Sequence, residues 1–138
     1  MSEIIALQLL KLHEGYRQKP YRCTAGRLTV GYGRNLDDVG LAVDEAEYLL
    51  KNDISRAVNS LSALPFWATL DDARRAVLID MHVNMGNAGL MKFRKMLDAI
   101  AHADYLRAAT EMQNSVWFRQ VPNRAKSLVH MMKTGEVP

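Results

Sequence analysis

Hydrophobic and polar positions fall into three textures along the chain. Residues 2–13 crowd Ile4, Ile5, Leu7, Leu9, Leu10 and Leu12 behind Ser2, a residue type suited to cap a helix. These positions cover more than one helical face, so the pattern predicts a first helix to about His13 that is buried. From Gly15 to Asn35 the texture changes to Gly, Pro, Thr, Tyr and Val, with Gly26, Gly31 and Gly33 punctuating short extended runs such as Leu28-Thr29-Val30. That pattern predicts a small β-hairpin or three-stranded ribbon.

After the polar link Leu36-Asp37-Asp38-Val39-Gly40, Asp44 and Glu47 mark a helix start. Ala46, Leu49, Leu50, Ile54, Ala57, Val58, Leu61 and Leu64 then recur at helical spacing until Pro65. Such a helix, over about 44–64, is about 30 Å long at ~1.5 Å per residue and can bridge two lobes, with the boundary along it. Beyond Leu70 the pattern is helical. Asp71 or Asp72 opens a segment with Ala73, Ala76, Val77, Met81 and Val83, and Gly86 and Gly89 mark a break. Shorter helices follow over 92–101 and 104–112, and Pro122 starts a last one that Gly135 stops. The fold class is α+β, mostly α: one domain of two lobes. The N-terminal lobe spans about 14–43, and the helical lobe spans about 65–138 together with helix 2–13.

A chain of 138 residues is the size of one ordinary domain, and 49% hydrophobic with 24% charged residues excludes disorder and fibrous repeats. The apolar stretch Ile4–Leu12 is broken by Gln8 and Lys11 and falls short of the roughly 20 residues of a membrane span. It also lacks the form of a secretory leader, so neither stable membrane insertion nor self-export is expected. The single cysteine, Cys23, excludes an internal disulfide and suits a reducing cytosol. The methionines Met81, Met85, Met91, Met96, Met112, Met131 and Met132 read as flexible core filler, and Trp117 and Phe118 as core. The net charge of +3 lies wholly in the second half, where residues 70–138 carry 10 basic and 7 acidic side chains against 8 and 8 in 1–69. This bias favours a polyanion, but without aromatic interleaving or a recognised motif no nucleic-acid partner is expected.

His13, His82, His102 and His130 are scattered, with no His-Glu-x-x-His run and no Cys partner, so no metal site is expected. A Gly-x-Ser-x-Gly elbow and a P-loop are both missing, and Gly31-Tyr32-Gly33 lacks the third glycine of a dinucleotide site. No cofactor is expected. What remains is a concentration of reactive groups in a short space: Glu14 at the end of the first helix, then Cys23 and Thr29 in the ribbon. Glycoside hydrolysis needs a protonated carboxyl for the leaving oxygen and a second group on the opposite sugar face. Glu14 and the Cys23/Thr29 pair can hold those places.

The segment His13-Glu14-Gly15-Tyr16 through Cys23, Thr29 and Gly31-Tyr32-Gly33 resembles the active-site signature of phage T4-type lysozymes, glycoside hydrolase family 24. That signature is Glu, eight residues, Asp or Cys, five residues, Thr, and both spacings are present. The resemblance continues through Leu70-Asp71, Arg74-Arg75-Ala76, Asn84-Met85-Gly86, Trp117-Phe118 and Gln120-Val121-Pro122-Asn123-Arg124-Ala125. It implies a two-lobed fold with the cleft between lobes, and hydrolysis of the β-1,4 bond between N-acetylmuramic acid and N-acetylglucosamine. It also implies roles for particular residues: Glu14 the general acid, Cys23 the aspartate-or-cysteine position, and Thr29 the threonine that helps hold the catalytic water. Arg124 falls on the arginine that approaches the glutamate from the other lobe, with Asn84 and Gly31 as further substrate-binding or active-site support.

The partner so implied is bacterial peptidoglycan, met by a monomer that waits in the host cytoplasm until a separate holin opens the membrane, or that travels in a virion. Inversion is expected, with Cys23 and Thr29 activating water. Direct attack by Cys23, with retention, is the alternative chemistry. A wall-binding module with little turnover is the alternative function. The sequence departs from the best-known members at Cys23, at Arg34 where a histidine can follow Gly-x-Gly, and in the short link from Arg34 to Asp44, which implies a trimmed N-terminal lobe.

Overall fold

The computed structural model describes residues 1–138. Helix α1 spans Ser2–Glu14 and is followed by strands β1 (Arg17–Arg22), β2 (Leu28–Gly31) and β3 (Arg34–Asn35). Helix α2 (Val43–Leu61) and a 3-10 turn at Trp67–Thr69 precede α3 (Asp72–Met91), α4 (Arg94–Ala101), α5 (Tyr105–Gln113), α6 (Val116–Gln120) and α7 (Pro122–Thr134). The chain forms two compact units, Met1–Leu49 and Leu50–Pro138, and the division falls within α2. The α+β, mostly α class is met, as are the three-stranded ribbon and the long second helix.

In the first unit the strands make an antiparallel sheet of order β1-β2-β3. Tyr21 pairs with Thr29, Arg22 with Leu28, Thr29 with Asn35 and Val30 with Arg34. The β1–β2 connection is a tight turn in which the Gly26 N–H donates to Cys23 O (2.8 Å) and the Cys23 N–H to Arg27 O (3.0 Å).

The buried first helix is not found: no residue of α1 is buried, and Leu12 is 77% exposed. The physical reason is local. Residues 1–49 contain no second apolar layer to cover it, and their single buried side chain is the polar Thr29.

In the second unit the core is contiguous and apolar. Ala57 and Leu61 of α2, Val77, Leu78 and Met81 of α3, Met96 of α4, Met112 of α5 and Met132 of α7 are all at or near zero exposure. Met131 is buried too, and Met85 and Met91 pack against the cluster, so the seven methionines do fill the core. Trp117 is buried, with Phe93 edge-on at 6.0 Å, and Phe118 packs against the same core.

Helix ends in this unit are closed by side chains. Asp71 accepts from the Arg74 N–H, Asp104 from Arg107 and Ser115 from Phe118. The Arg74–Arg75 pair satisfies carbonyls left over at helix ends. Arg74 donates to Met132 O (2.7 Å) and Lys133 O (3.2 Å), and Arg75 to Trp67 O (3.0 Å) and Ala68 O (2.9 Å). Gly135 ends α7 in the left-handed conformation (φ 73°), and an added Cβ there would stand 3.0 Å from the Arg74 guanidinium, so the stop and the arginine fit one another. The break foreseen near Gly86 is present as one non-helical residue inside α3.

Candidate active site

Glu14 is the last residue of α1. The N–H of Gly15 closes the helix on Lys11 O (3.1 Å), and Gly15 turns the chain into β1. The helix therefore delivers the carboxyl to the sheet. Its side chain lies against Gly33: a Cβ added at that position would meet Glu14 Oε2 at 2.8 Å and Cδ at 2.9 Å. Gly33 also has φ 80°, so both its backbone and its missing side chain are required by the approach of the acid. The Glu14 carboxylate accepts no hydrogen bond from the protein. Its placement rests on the backbone it lies over.

Cys23 and Thr29 come together at the β1–β2 turn. The half-buried Cys23 thiol is held below its ordinary value, first by backbone hydrogen bonds from Arg27 and Ala25, against a smaller opposing effect of burial, with a further hydrogen bond from the Thr29 side chain. Thr29, 4% exposed, donates its hydroxyl proton to Arg27 O at 2.8 Å. One hydroxyl proton serves one acceptor at a time, so Thr29 answers either the Arg27 carbonyl or a thiolate at Cys23. Gly31, at the end of β2 with φ 70°, pairs with Arg17 and leads into the Tyr32-Gly33 turn. Tyr32 and Tyr16 form a tilted pair (5.8 Å) on the exposed side of that turn.

Arg34 follows Gly33 directly. Its guanidinium grips Glu45 at both oxygens (2.6 and 2.7 Å) and also donates to Gly40 O at 3.1 Å, while Glu45 accepts the Ala42 N–H at 2.9 Å. The Arg34 hydrogen bond above all, with the Ala42 N–H, holds the Glu45 carboxyl down at about 2. Sequence reasoning did not single out Gly33, on which the Glu14 carboxyl lies, or Glu45, the partner of Arg34. A signal for Gly33 existed in the Gly-x-Gly punctuation, but for Glu45 nothing distinguished it from the acidic start of any helix.

Glu14, Cys23, Thr29 and Gly31 thus belong to the first unit, and Asn84 and Arg124 to the second. Asn84 Oδ1 accepts the Trp117 indole N–H at 3.0 Å, which ties α3 to α6. Arg124, in the first turn of α7, pairs with Asp80 of α3 at 3.0 Å. No group of three or more His, Cys, Asp and Glu side chains is gathered to hold a metal ion, and no helix is long and apolar enough to cross a membrane.

Residues 11–131 match the family model described as phage lysozyme. The chain is 29% identical over 157 aligned residues to a probable T4-type lysozyme of Dictyostelium discoideum, with 92% of each chain covered. It is 26% identical over 159 residues to the pre-baseplate central spike protein Gp5 of Enterobacteria phage T4, covering 94% of this chain and 28% of that one. An endolysin of Acyrthosiphon pisum secondary endosymbiont phage 1 is 42% identical over 60 residues, 41% of this chain and 40% of the relative.

Proposed function

The chain belongs to the phage lysozyme family, and from that premise we propose that it cleaves the β-1,4 bond between N-acetylmuramic acid and N-acetylglucosamine in peptidoglycan, with Glu14 as general acid. At the coarser level it is a lysozyme-like cell-wall hydrolase. The observation that supports the finer reading is the seating of the Glu14 carboxyl against Gly33, in the β2–β3 turn of the sheet that holds Thr29 in β2 and Cys23 in its β1–β2 turn.

In this mechanism Glu14 gives its proton to the glycosidic oxygen as the bond to the anomeric carbon breaks. A water held by Thr29 and Cys23 adds to that carbon from the opposite face, and its proton passes to the Cys23 thiolate. The product is inverted. The lowered ionisation range of Cys23 supports a thiolate in this role, since the thiolate is the basic form. Arg124, Asn84 and Gly31 keep the supporting roles implied by the family motif.

The protein acts as a monomer on bacterial peptidoglycan, held in the host cytoplasm until a separate holin opens the membrane. The likeness to a central spike protein supports a virion-borne second reading, which detection of the chain in purified particles would select. The direct test is clearing of permeabilised cells. Wild type is expected to clear them and Glu14→Gln is not; absence of clearing by wild type, with the protein retained on sedimented walls, favours the wall-binding module instead. Nuclear magnetic resonance of fresh product then reads the anomer, and retention would point to covalent attack by Cys23.

A further inference from the structure

Gly33 is the seat of the proposed acid, and what fixes Gly33 is unusual. Strand β3, which begins at the next residue, is only two residues long, too short to hold an edge of a sheet by itself. Of the apolar side chains in the segment after it, Leu36 is half-buried while Val39 and Leu41 are exposed. The segment is held largely by polar bonds: the Leu36 N–H donates to Leu28 O (2.7 Å) and the Leu28 N–H to Asp37 Oδ2 (2.7 Å). The Asp38 N–H donates to Asn35 Oδ1 (2.9 Å), and the Val39 N–H to Asn35 O (3.1 Å).

Against that background the two-pronged Arg34–Glu45 contact is the one strong tie between the β3 end and the first turn of α2. A guanidinium and a carboxylate meeting through two parallel N–H···O bonds fix orientation as well as distance. The same arginine reaches Gly40 O and the same carboxylate takes the Ala42 N–H, so this ion pair joins the two ends of the 34–45 link, while Asp37 and Asp38 tie its middle to Leu28 and Arg27. Through Val30↔Arg34 and Thr29↔Asn35 pairing it also sets the strand that carries Thr29.

We propose that Arg34 and Glu45 are positioning residues for the reaction: their pairing holds Gly33 beneath the Glu14 carboxyl and holds Thr29 in register beside Cys23. The short link from Arg34 to Asp44 is what makes the tie possible, since it brings the α2 start within reach of β3. This inference rests on Glu14 being the acid. It assigns work to two residues that do not touch the substrate.

The test compares kcat and KM on soluble peptidoglycan fragments for wild type, Glu45→Ala, Glu45→Gln and Arg34→Lys, with Glu14→Gln as reference. A misplaced acid is felt in the chemical step, and displacements of about 1 Å can cost on the order of 100-fold. Glu45→Ala is therefore expected to lower kcat by roughly 10-fold or more with KM changed less than about twofold. Glu45→Gln keeps one acceptor oxygen but sets an N–H donor against the guanidinium, so it should recover only a small part of the loss, and Arg34→Lys, which keeps charge without the fork, should fall between it and wild type. Leu128→Ala, a core change in the other unit, serves as a control for general destabilisation, with all assays run below melting.

A kcat in Glu45→Ala equal to wild type overturns the proposal, and so does a loss no larger than the Leu128→Ala control shows at matched melting temperature. An Arg34→Lys kcat equal to wild type would also overturn it. If Glu45→Ala does not fold, Gly33→Ala probes the same seat: full activity there contradicts the arrangement, and loss confined to kcat supports it. Activity retained by Glu14→Gln would sink the parent reading whatever the brace does, so the two failures are distinguishable.

Discussion

Residues 1–49 and 50–138 are built on different physics. Every buried apolar side chain lies in the second unit, where α2 through α7 enclose a continuous core of Leu, Val, Ala, Trp and Met. The first unit buries one side chain, Thr29, and is ordered instead by strand pairing, a tight turn at Cys23–Gly26 and the Arg34–Glu45 fork. Apolar burial stabilises in proportion to area and tolerates changes of pH, whereas charge-assisted bonds are directional and respond to protonation. The unit that carries the candidate chemistry is therefore the one whose geometry is set by direction rather than by volume.

The largest stability effect is expected where the core is fully closed. Leu78→Ala removes a side chain at zero exposure and should destabilise the protein by about 2–5 kcal/mol in chemical denaturation, with the Gly31–Gly33 turn unchanged. A loss under about 1 kcal/mol would erase the contrast between the units.

A smaller effect, confined to the first unit, follows from Glu45. Its folded value of about 2 lies below the ordinary 4.5, so its contribution to order is complete above the ordinary value and is lost as pH falls from 4.5 toward 2. Amide exchange over residues 28–42 should be slower in wild type than in Glu45→Gln at pH 6, with most of the difference lost by pH 2 and the rest below it. A difference as large at pH 2 as at pH 6 would assign the protection to something other than the ion pair.

Cys23 offers a third comparison. Because hydrogen bonds lower its ionisation range, its alkylation by iodoacetamide should reach half its maximal rate at lower pH than for a free cysteine thiol, and Thr29→Val should move that midpoint up. Equal midpoints would remove Thr29 from the thiol's surroundings. Smallest of all, Leu9→Ser on the exposed α1 should shift melting negligibly, within about 0.5 kcal/mol.

Much of the second unit was legible in the sequence. The helical spacing from Ala73 to Met81 opened by Asp71, the helix over 104–112, and the Gly135 stop all became the elements they suggest. The five-residue α6 was not, because it is too short to show a period. Apolar spacing reports that a helix has greasy faces but not what covers them, so the exposure of α1 was outside its reach. At the candidate site the Glu14, Cys23 and Thr29 spacing was visible at once. The Gly33 seat and the Glu45 partner were not, since both depend on a contact across the sheet turn and an 11-residue separation that no local pattern records.

The measurement that bears most directly on the central claim is the chemistry of the new chain ends. Purified peptidoglycan is digested with wild type and with Glu14→Gln, reduced with borohydride, and the reduced sugar identified by mass spectrometry. Reduced N-acetylmuramic acid from the wild-type digest and none above background from Glu14→Gln is the predicted result. Reduced N-acetylglucosamine instead, or equal release by Glu14→Gln, would contradict the assignment of this bond and this acid.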